Sequence, residues 1–299
     1  MTAEMVALVR AREQARPPAR RVIDDPYAGR FLELGRSRLV AAGGVNGPVA
    51  VVSDLAFKTP LVGFASLVLG RHRVMDDLLL EETAAGATQC VILGAGYDAR
   101  AHRFAPPRGP ARFFEVDHPT LSSLKRDLVA RALGAVPPHV TFCAVDFMRE
   151  RLDERLLAEG FDRAARTVFI WEGVTYYLTA EAVRGTLATV RALAAPGSTI
   201  IFDAWASAPG VTGSVATVAR RVAGLFARAA SEPFLFAFDG IDAAPALLRE
   251  LGYDVLFTYG SERIGAILRD RGRNLLHVPP YLIVAAGRIP LSADTLRPS

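Results

Sequence analysis

The sequence predicts an α/β fold built on a seven-stranded, mostly parallel sheet. From about residue 85 onward, short and nearly continuous apolar runs alternate with segments whose apolar residues recur at every third or fourth position. Apolar strands separated by helices are typical of a parallel sheet that is covered by helices on both faces. The last two runs are close enough in the chain to form a hairpin, so we expect the final two strands to be antiparallel.

Each predicted strand is a short apolar run, and each predicted helix has an apolar stripe at helical spacing. The clearest helical segments between strands are 119–133 and 180–195. The predicted strands lie at 89–95, 111–117, 140–146, 167–173, 198–205, 253–260 and 280–288.

The sequence before the first predicted strand has helical rather than strand character. Residues 1–84 are predicted to form a helical extension, in which Asp24-Asp25-Pro26 marks a helix start because Pro is tolerated in a first helical turn. Residues 85–299 are predicted to form the core. An insertion at about 206–239 is expected to form a lid over the binding pocket, together with residues 40–70. Its phenylalanines fit either a pocket lining or ordinary core packing; they are Phe226, Phe234, Phe236 and Phe238.

Composition excludes several classes of protein. With 51% apolar residues, 299 residues are enough for a sizeable core. The net charge is only +4, and the arginines are mixed with acidic residues along the chain, so we do not expect a nucleic-acid surface. Two cysteines without metal-ligand spacing predict buried, reduced thiols and no metal site. The amino-terminal residues lack an apolar signal sequence and the uncharged runs are too short to span a membrane, so a cytoplasmic protein is expected.

The first strand ends in a glycine motif that fits two different nucleosides. Gly94, Ala95 and Gly96 allow a tight turn with a close approach of the backbone to a ligand. Asp117 ends the second strand 21 residues after Gly96, near the spacing at which a carboxylate binds ribose hydroxyls. Both a nicotinamide dinucleotide and S-adenosylmethionine carry such a ribose, so these residues leave the choice open.

The acidic residues at the strand ends favour S-adenosylmethionine. Asp98 follows the glycines where a carboxylate would repel a pyrophosphate, whereas it would attract a sulfonium cation. Asp146 ends the third strand, where its carboxylate can accept a hydrogen bond from an adenine amino group. Glu172 ends the fourth strand and is placed to meet the methionine end of the cofactor or the acceptor.

Several motifs resemble those of the leucine carboxyl methyltransferase family, which includes bacterial enzymes acting on secondary metabolites. The most specific are "FFEVDHPTLSSLKRDL" at 113–128 and "WEGVTYYLT" at 171–179. The resemblance extends over about residues 10–260. It implies a Rossmann-like class I methyltransferase fold and S-adenosylmethionine as the cofactor, with S-adenosylhomocysteine as the product. The other matching motifs are "DDPYAGRFL" at 24–32, "RHRVMDDLL" at 71–79, "VILGAGYDARAHRF" at 91–104 and "SEPFLFAFD" at 231–239.

The resemblance also implies a role for each cofactor-binding residue. Asp117 would hold the ribose, with His118 beside it, and Asp146 with Phe147 would hold the adenine. Gly94 would hold the methionine portion, and Ala95, Gly96 and Asp98 in the same loop are further candidates for cofactor binding. Glu172 would face the amino group of that portion and Arg71 its carboxylate, with Arg73 as the alternative to Arg71.

The expected reaction is methylation of a small hydrophobic or aromatic molecule at oxygen, with methylation of carbon or nitrogen on an aromatic or indole-type acceptor as the alternative. An acceptor that must lose a proton could need a base. Tyr176 and Tyr177 are the leading catalytic candidates because they directly follow a strand of the cofactor site, ahead of His118 and His277. A nicotinamide-dependent oxidoreductase is a distant alternative. A noncatalytic binding protein is disfavoured because Asp117 and Glu172 are both present.

Overall fold

The computed structural model describes residues 2–32, 63–146, 149–207, 234–273 and 278–291. Within them, one seven-stranded sheet has the strand order β3-β2-β1-β4-β5-β7-β6. Strands β1 to β5 pair in parallel, whereas β7 is antiparallel to both β5 and β6. The strands are β1 (Gln89–Leu93), β2 (Arg112–Asp117), β3 (Val140–Ala144), β4 (Thr167–Trp171), β5 (Thr199–Trp205), β6 (Asp254–Tyr259) and β7 (Leu282–Arg288).

The helices alternate with the strands, as the apolar periodicity predicts. Helix α4 has the predicted bounds, and the final strand pair is antiparallel as expected. The helices are α1 (Thr2–Glu13), α2 (Phe64–Ala84), α3 (Arg100–Arg103), α4 (Pro119–Leu133), α5 (Leu152–Ala158), α6 (Ala180–Leu193), α7 (Ala243–Glu250) and α8 (Ser261–Asp270), with 3₁₀ turns at Pro18–Arg20 and Thr175–Tyr177.

Successive side chains of each central strand point to opposite faces of the sheet and belong to two hydrophobic clusters, one on each face. In β1, for example, Cys90 and Ile92 pack with α1, α2, α4 and α8, whereas Val91 and Leu93 pack with α5, α6 and α7. The two amino-terminal helices therefore share the core of the sheet. The prediction of a mostly parallel seven-stranded sheet covered on both faces is confirmed.

The amino-terminal region begins a helix where its sequence predicts one. The Asp25 carboxylate accepts hydrogen bonds from the backbone N–H groups of Tyr27 (3.1 Å) and Ala28 (3.0 Å), and residues 28–32 are helical. Such capping satisfies N–H groups that lack partners in a first helical turn. Residues 33–62 and 208–233, which include most of the predicted lid, lie outside the described residues, as do Phe147, His277 and Phe226.

Candidate functional site

The strand order places the predicted cofactor residues side by side. Four neighbouring parallel strands, β3, β2, β1 and β4, end at the same edge of the sheet. At or just after these strand ends lie, in the same order, Asp146, Asp117, the Gly94–Gly96 turn and Glu172. Open α/β sheets bind ligands outside the carboxyl ends of their strands, near the point where the chain reverses its direction of strand addition. Here that point lies between β1 and β4.

Gly94 opens the turn after β1 in a backbone conformation that favours glycine. Its φ is 69°, and a Cβ atom on it would lie only 2.5 Å from Cγ2 of Val174. The backbone N–H groups of Gly94 and Ala95 both donate to the carbonyl oxygen of Val116, at 2.8 and 3.0 Å. These two hydrogen bonds hold the turn against the end of β2, and Ala95, in the middle of the turn, is buried.

Asp117 is bound to the same turn. Its Oδ2 accepts a hydrogen bond of 2.7 Å from the Gly96 N–H, and its Oδ1 accepts one of 2.7 Å from the His118 N–H. A carboxylate offers about four acceptor positions. Asp117 therefore retains capacity for ribose hydroxyl groups while it orders the glycine turn.

His118 and Asp146 also have local structural contacts. His118 is exposed and caps α4, because its Nδ1 accepts from the Thr120 N–H at 3.4 Å. The Asp146 N–H donates to Glu150 Oε2 at 2.8 Å, and Arg149 Nε lies 3.7 Å from the partly exposed Asp146 carboxylate. These contacts order both strand ends and leave the predicted adenine and ribose roles untested.

Arg71 reaches this edge from helix α2. Its Nε donates to Glu172 Oε1 at 3.0 Å, and its Nη1 donates to Asp203 Oδ2 at 2.8 Å and to the Tyr176 hydroxyl at 3.0 Å. The side chain is 2% exposed, and the three acceptors raise the pKa of the guanidinium against the effect of burial. Arg71 therefore stays charged inside the protein, as binding of a carboxylate requires.

Arg73, the alternative to Arg71, does not join this cluster. Its guanidinium pairs with Asp77 one turn further along α2, with 2.9 Å between Arg73 Nε and Asp77 Oδ2. Its Nη1 lies 3.5 Å from the Val22 carbonyl oxygen. Residues two apart on a helix point roughly 200° apart, so only one of the two arginines can face the strand ends.

Glu172 lies at the centre of a buried ionic cluster. Besides Arg71, its carboxylate contacts His72 Nδ1 at 2.9 Å and Arg100 Nη2 at 2.7 Å, both through Oε2. Burial alone would raise the pKa of Glu172, but the hydrogen bond from His72 and the charges of the Arg100 and Arg71 guanidinium groups hold it well below the ordinary value. Glu172 is therefore ionised and can pair with an ammonium group.

Asp98 does not present the uncompensated charge that the sequence argument assumes. Its carboxylate is buried, pairs with Arg100 Nη1 and accepts from the Arg100 N–H at 2.7 Å. Although burial raises the pKa of Asp98, the guanidinium groups of Arg100 and Arg10 lower it below the ordinary value. Asp98 alone therefore does not discriminate between a pyrophosphate and a sulfonium, and the expectation that its charge favours the sulfonium is corrected.

Several members of this cluster were not among the residues predicted from the sequence. Asp203 is a fully buried acid within the apolar strand β5, a departure from the strand pattern that could have marked it. Asp76, on α2, joins Arg100 and Arg103, with distances of 2.7 Å to Arg100 Nε and 2.5 Å to Arg103 Nη2. Nothing in the sequence alone shows that α2 brings Asp76 to the glycine turn.

A metal ion does not suit this cluster. His72, Asp98 and Glu172 each offer a ligand atom within 4.8 Å of the others. The Arg100 guanidinium, however, lies among all three: it pairs with Asp98 and with Glu172 (2.7 Å), and its Nη2 is 2.9 Å from His72 Nδ1. A guanidinium thus already supplies the positive charge there, and a divalent cation beside it would be repelled.

The two predicted catalytic tyrosines belong to an aromatic cluster beside Arg71. Tyr176 stacks on Trp205 with 5.2 Å between ring centroids, and Tyr177 stacks on Phe234 at 5.3 Å. Trp205 also contacts Phe234 at 4.3 Å and Tyr281 at 4.9 Å. Burial raises the pKa of the Tyr176 phenol far above its ordinary value, so this phenol stays protonated and is poorly suited as a base.

The comparison with protein families distinguishes the predicted methyltransferase family from the nicotinamide-dependent alternative. The model of the leucine carboxyl methyltransferase family matches residues 3–191, which include α2, the glycine turn, Asp117, Asp146 and Glu172. The chain belongs to the leucine carboxyl methyltransferase family. The family predicted from the motifs is thereby confirmed, and the residues that the resemblance assigns to the cofactor lie within the matched region.

Relatives of this methyltransferase-family chain come from actinobacteria. One from Mycolicibacterium gilvum is 36% identical over 207 residues, covering 68% of this chain and 66% of the relative. One from Frankia alni is 38% identical over 204 residues, covering 68% of both chains. Each bears the description "Putative S-adenosyl-L-methionine-dependent methyltransferase", in agreement with the predicted cofactor. The chain spans about two thirds of the length of these curated relatives.

Solved structures agree with the fold. A protein from Thermobifida fusca that is described as a methyltransferase has a TM-score of 0.58 at 16% identity, and the match covers 81% of this chain and 88% of that protein. The S-adenosylmethionine-dependent methyltransferase SibL, in its apo form, has a TM-score of 0.51 at 14% identity, covering 95% of this chain and 74% of its own. The Rossmann-like class I methyltransferase fold is thus confirmed. In the part of the chain that the structure describes, no helix has the length and apolarity needed to cross a membrane.

Proposed function

We propose that the protein transfers a methyl group from S-adenosylmethionine to an oxygen atom of a small hydrophobic or aromatic molecule. The observation that carries the proposal is the contiguous row of Asp146, Asp117, the Gly94–Gly96 turn and Glu172 along the ends of β3, β2, β1 and β4. This row matches the order of adenine, ribose and amino acid along one extended cofactor. Arg71 stands beside Glu172 at the amino-acid end.

The charge of the buried cluster fits that cofactor. S-adenosylmethionine carries a sulfonium, an ammonium and a carboxylate, and so one net positive charge. The cluster has one more carboxylate than guanidinium groups, and this excess favours a cation over a doubly anionic pyrophosphate. Among the described residues, the hydrogen-bonded members are the carboxylates of Asp76, Asp98, Glu172 and Asp203 and the guanidinium groups of Arg71, Arg100 and Arg103.

The main task of the protein in this reaction is to position the cofactor and the acceptor. The bound cofactor supplies a methyl group already activated by the sulfonium, and in-line attack by the acceptor oxygen forms the O–CH₃ bond as the S–CH₃ bond breaks. Asp117 and Glu172 would hold the ribose and the ammonium group, and Arg71 the carboxylate, so that the methyl group faces the acceptor. A carboxylate acceptor has no proton to lose and needs no base. A hydroxyl acceptor must release its proton.

The aromatic cluster supports an apolar or aromatic acceptor. Tyr177, Trp205 and Phe234 are only partly buried. Tyr177 follows β4, Trp205 ends β5, and Phe234 packs against both of them, next to the Arg71 end of the cofactor site. Planar π faces of this kind favour stacking with an aromatic ring. Phe238, by contrast, packs with Phe202 in the core and is not available to a ligand. Because Tyr176 stays protonated, its role would be to orient Arg71 or an acceptor by hydrogen bonding.

Calorimetry tests the cofactor. S-adenosylhomocysteine should bind and NADH should not, whereas tight NADH binding without the thioether would contradict the proposal. Asp117→Asn should weaken S-adenosylhomocysteine binding by about 10- to 100-fold, since hydrogen bonds to a charged acceptor are among the stronger ones. Asp162→Asn is the matched control, because Asp162 lies at the opposite edge of the sheet beside Gln89. It should bind the thioether as the wild type does.

A transfer assay tests the acceptor atom. Isotopically labelled S-adenosylmethionine would be offered with panels of carboxylic acids, phenols, indoles and amines. If alkali releases the label from the methylated product as methanol, the product is a methyl ester. If a methylated phenol keeps its label in alkali, the product is a methyl ether. Transfer confined to indole carbons or to amines would contradict O-methylation and favour the alternative acceptor atoms.

A further inference from the structure

His72 is a fully buried imidazole between the arginines of the ionic cluster. It lies on α2 next to Arg71 and is 0% exposed. Each ring nitrogen is within hydrogen-bond distance of a charged side chain. Nδ1 lies 2.9 Å from Glu172 Oε2, and Nε2 lies 2.9 Å from Arg103 Nη1. The proposed reaction gives His72 no role so far.

The neighbours of His72 determine which nitrogen carries the proton. A guanidinium can only donate hydrogen bonds, so Nε2 must accept from Arg103. Arg103 is itself held in place by Asp76 Oδ2 at 2.5 Å and by the Asp24 carbonyl oxygen at 2.6 Å. Nδ1 also lies 2.9 Å from Arg100 Nη2, but the two hydrogens of Nη2 have other acceptors in Glu172 Oε2 at 2.7 Å and the His72 carbonyl oxygen at 3.3 Å. With Nε2 as an acceptor, the proton of the imidazole lies on Nδ1 and is donated to Glu172 Oε2.

These contacts leave a defined acceptor position on Glu172. Its Oε2 receives hydrogen bonds from His72 Nδ1 and from Arg100 Nη2 (2.7 Å), and Arg71 Nε takes one position on Oε1. About four positions are available on a carboxylate, two on each oxygen. The described contacts therefore occupy Oε2 and leave one position on Oε1.

We propose that His72 is a positioning residue that fixes Glu172 so that Oε1 receives the ammonium group of the cofactor. The inference rests on the proposed function, because it takes S-adenosylmethionine as the ligand of Glu172. Arg103 fixes the tautomer of His72, and His72 fixes the plane of the Glu172 carboxylate. A pre-oriented carboxylate binds an ammonium group without first having to be ordered.

Two substitutions separate the two hydrogen bonds of His72. In His72→Asn the side-chain amide can occupy the place of Nδ1 and still donate to Glu172. In His72→Gln the longer side chain can occupy the place of Nε2 and accept from Arg103, but it leaves Glu172 without this donor. The binding of two ligands is measured for each: S-adenosylhomocysteine, and 5′-methylthioadenosine, which has the nucleoside and the sulfur but no amino-acid portion.

The proposal predicts a selective loss. His72→Gln should weaken S-adenosylhomocysteine binding by about tenfold, as expected for one hydrogen bond to a charged group, and leave methylthioadenosine binding within about twofold. His72→Asn should bind both ligands within about threefold of the wild type. Unchanged methylthioadenosine binding also shows that the variant is folded.

Other outcomes overturn the inference. Equal loss of both ligands in His72→Gln would show a merely structural role, and no loss of either would show no role. Loss of S-adenosylhomocysteine binding in His72→Asn as large as in His72→Gln would exclude action through Glu172. If the wild type binds neither ligand, the proposed function itself fails, and this result is distinct because it appears before any substitution.

Discussion

Substitution of Arg71 by Met should destabilise the protein strongly, whereas the same substitution at Arg73 should not. Both residues lie on α2, two positions apart, and Met keeps much of the side-chain volume in each case. Arg71 is buried among Glu172 and Asp203, whereas the pair that Arg73 forms with Asp77 is partly exposed, at 26% and 39%. The two variants therefore differ mainly in the carboxylate that loses its partner, which is buried for Arg71 and partly exposed for Arg73.

The expected magnitudes follow from those surroundings. Arg71→Met leaves the fully buried Asp203 without its guanidinium partner, and breaking a buried ion pair from one side costs about 3–5 kcal/mol. Arg73→Met removes an i,i+4 pair in contact with solvent, which is worth less than about 1 kcal/mol. Because burial already raises the pKa of Asp203, the cost should shrink at low pH, where its carboxylate takes up a proton.

Denaturant unfolding measures both free energies, and thermal unfolding gives a second estimate. At about 2–4 °C per kcal/mol for a domain of this size class, Arg71→Met should lower the Tm by roughly 6–20 °C, and Arg73→Met by only a few degrees. Adding Asp203→Asn to Arg71→Met should restore part of the loss, because the orphaned charge is removed. Two single variants of equal stability would refute the assignment of Arg71 to a buried cluster.

Two further predictions concern packing and pH. Gly70→Ala should destabilise by about 1–3 kcal/mol, because the new Cβ would lie 2.3 Å from Cγ2 of Ile264 on α8; Gly185→Ala, with open space in α6, should instead gain up to about 1 kcal/mol. Equal effects in urea unfolding would contradict this. Burial raises the pKa of Glu115 to about 7 although Lys125 lies 2.7 Å away, so the folded state holds a proton that the unfolded state loses near pH 4.3. The free energy of unfolding should therefore fall as the pH rises from about 4.3 to about 7, by up to about 1.4 kcal/mol per pH unit. The double variant Glu115→Gln, Lys125→Met should show a flatter pH dependence of unfolding. Parallel curves for the variant and the wild type would refute this prediction.

The strands, and the edge of the sheet at which the ligand site lies, could be predicted from the amino-acid sequence. A strand covered on both faces must be apolar throughout, so it can be recognised as a short apolar run in the local sequence. The polar residue at the end of the run marks the end of the strand. For this reason Asp117, Asp146 and Glu172 could be assigned to strand ends from the sequence. Family motifs around Asp117 and Glu172 then pointed to the cofactor that the named relatives share.

The pairing of the charged residues, by contrast, could be known only from the folded structure. Arg71 and Glu172 are 101 residues apart in the chain, and nothing in their local sequence shows that α2 crosses the end of β4. The choice between Arg71 and Arg73 depended on which face of α2 packs against the sheet. The charge of Asp98 could not be judged without Arg100, whose side-chain direction is set by Asp76 and Glu172. Local patterns specify strands and helices, but electrostatic pairing depends on long-range packing, which brings together residues that the sequence keeps apart.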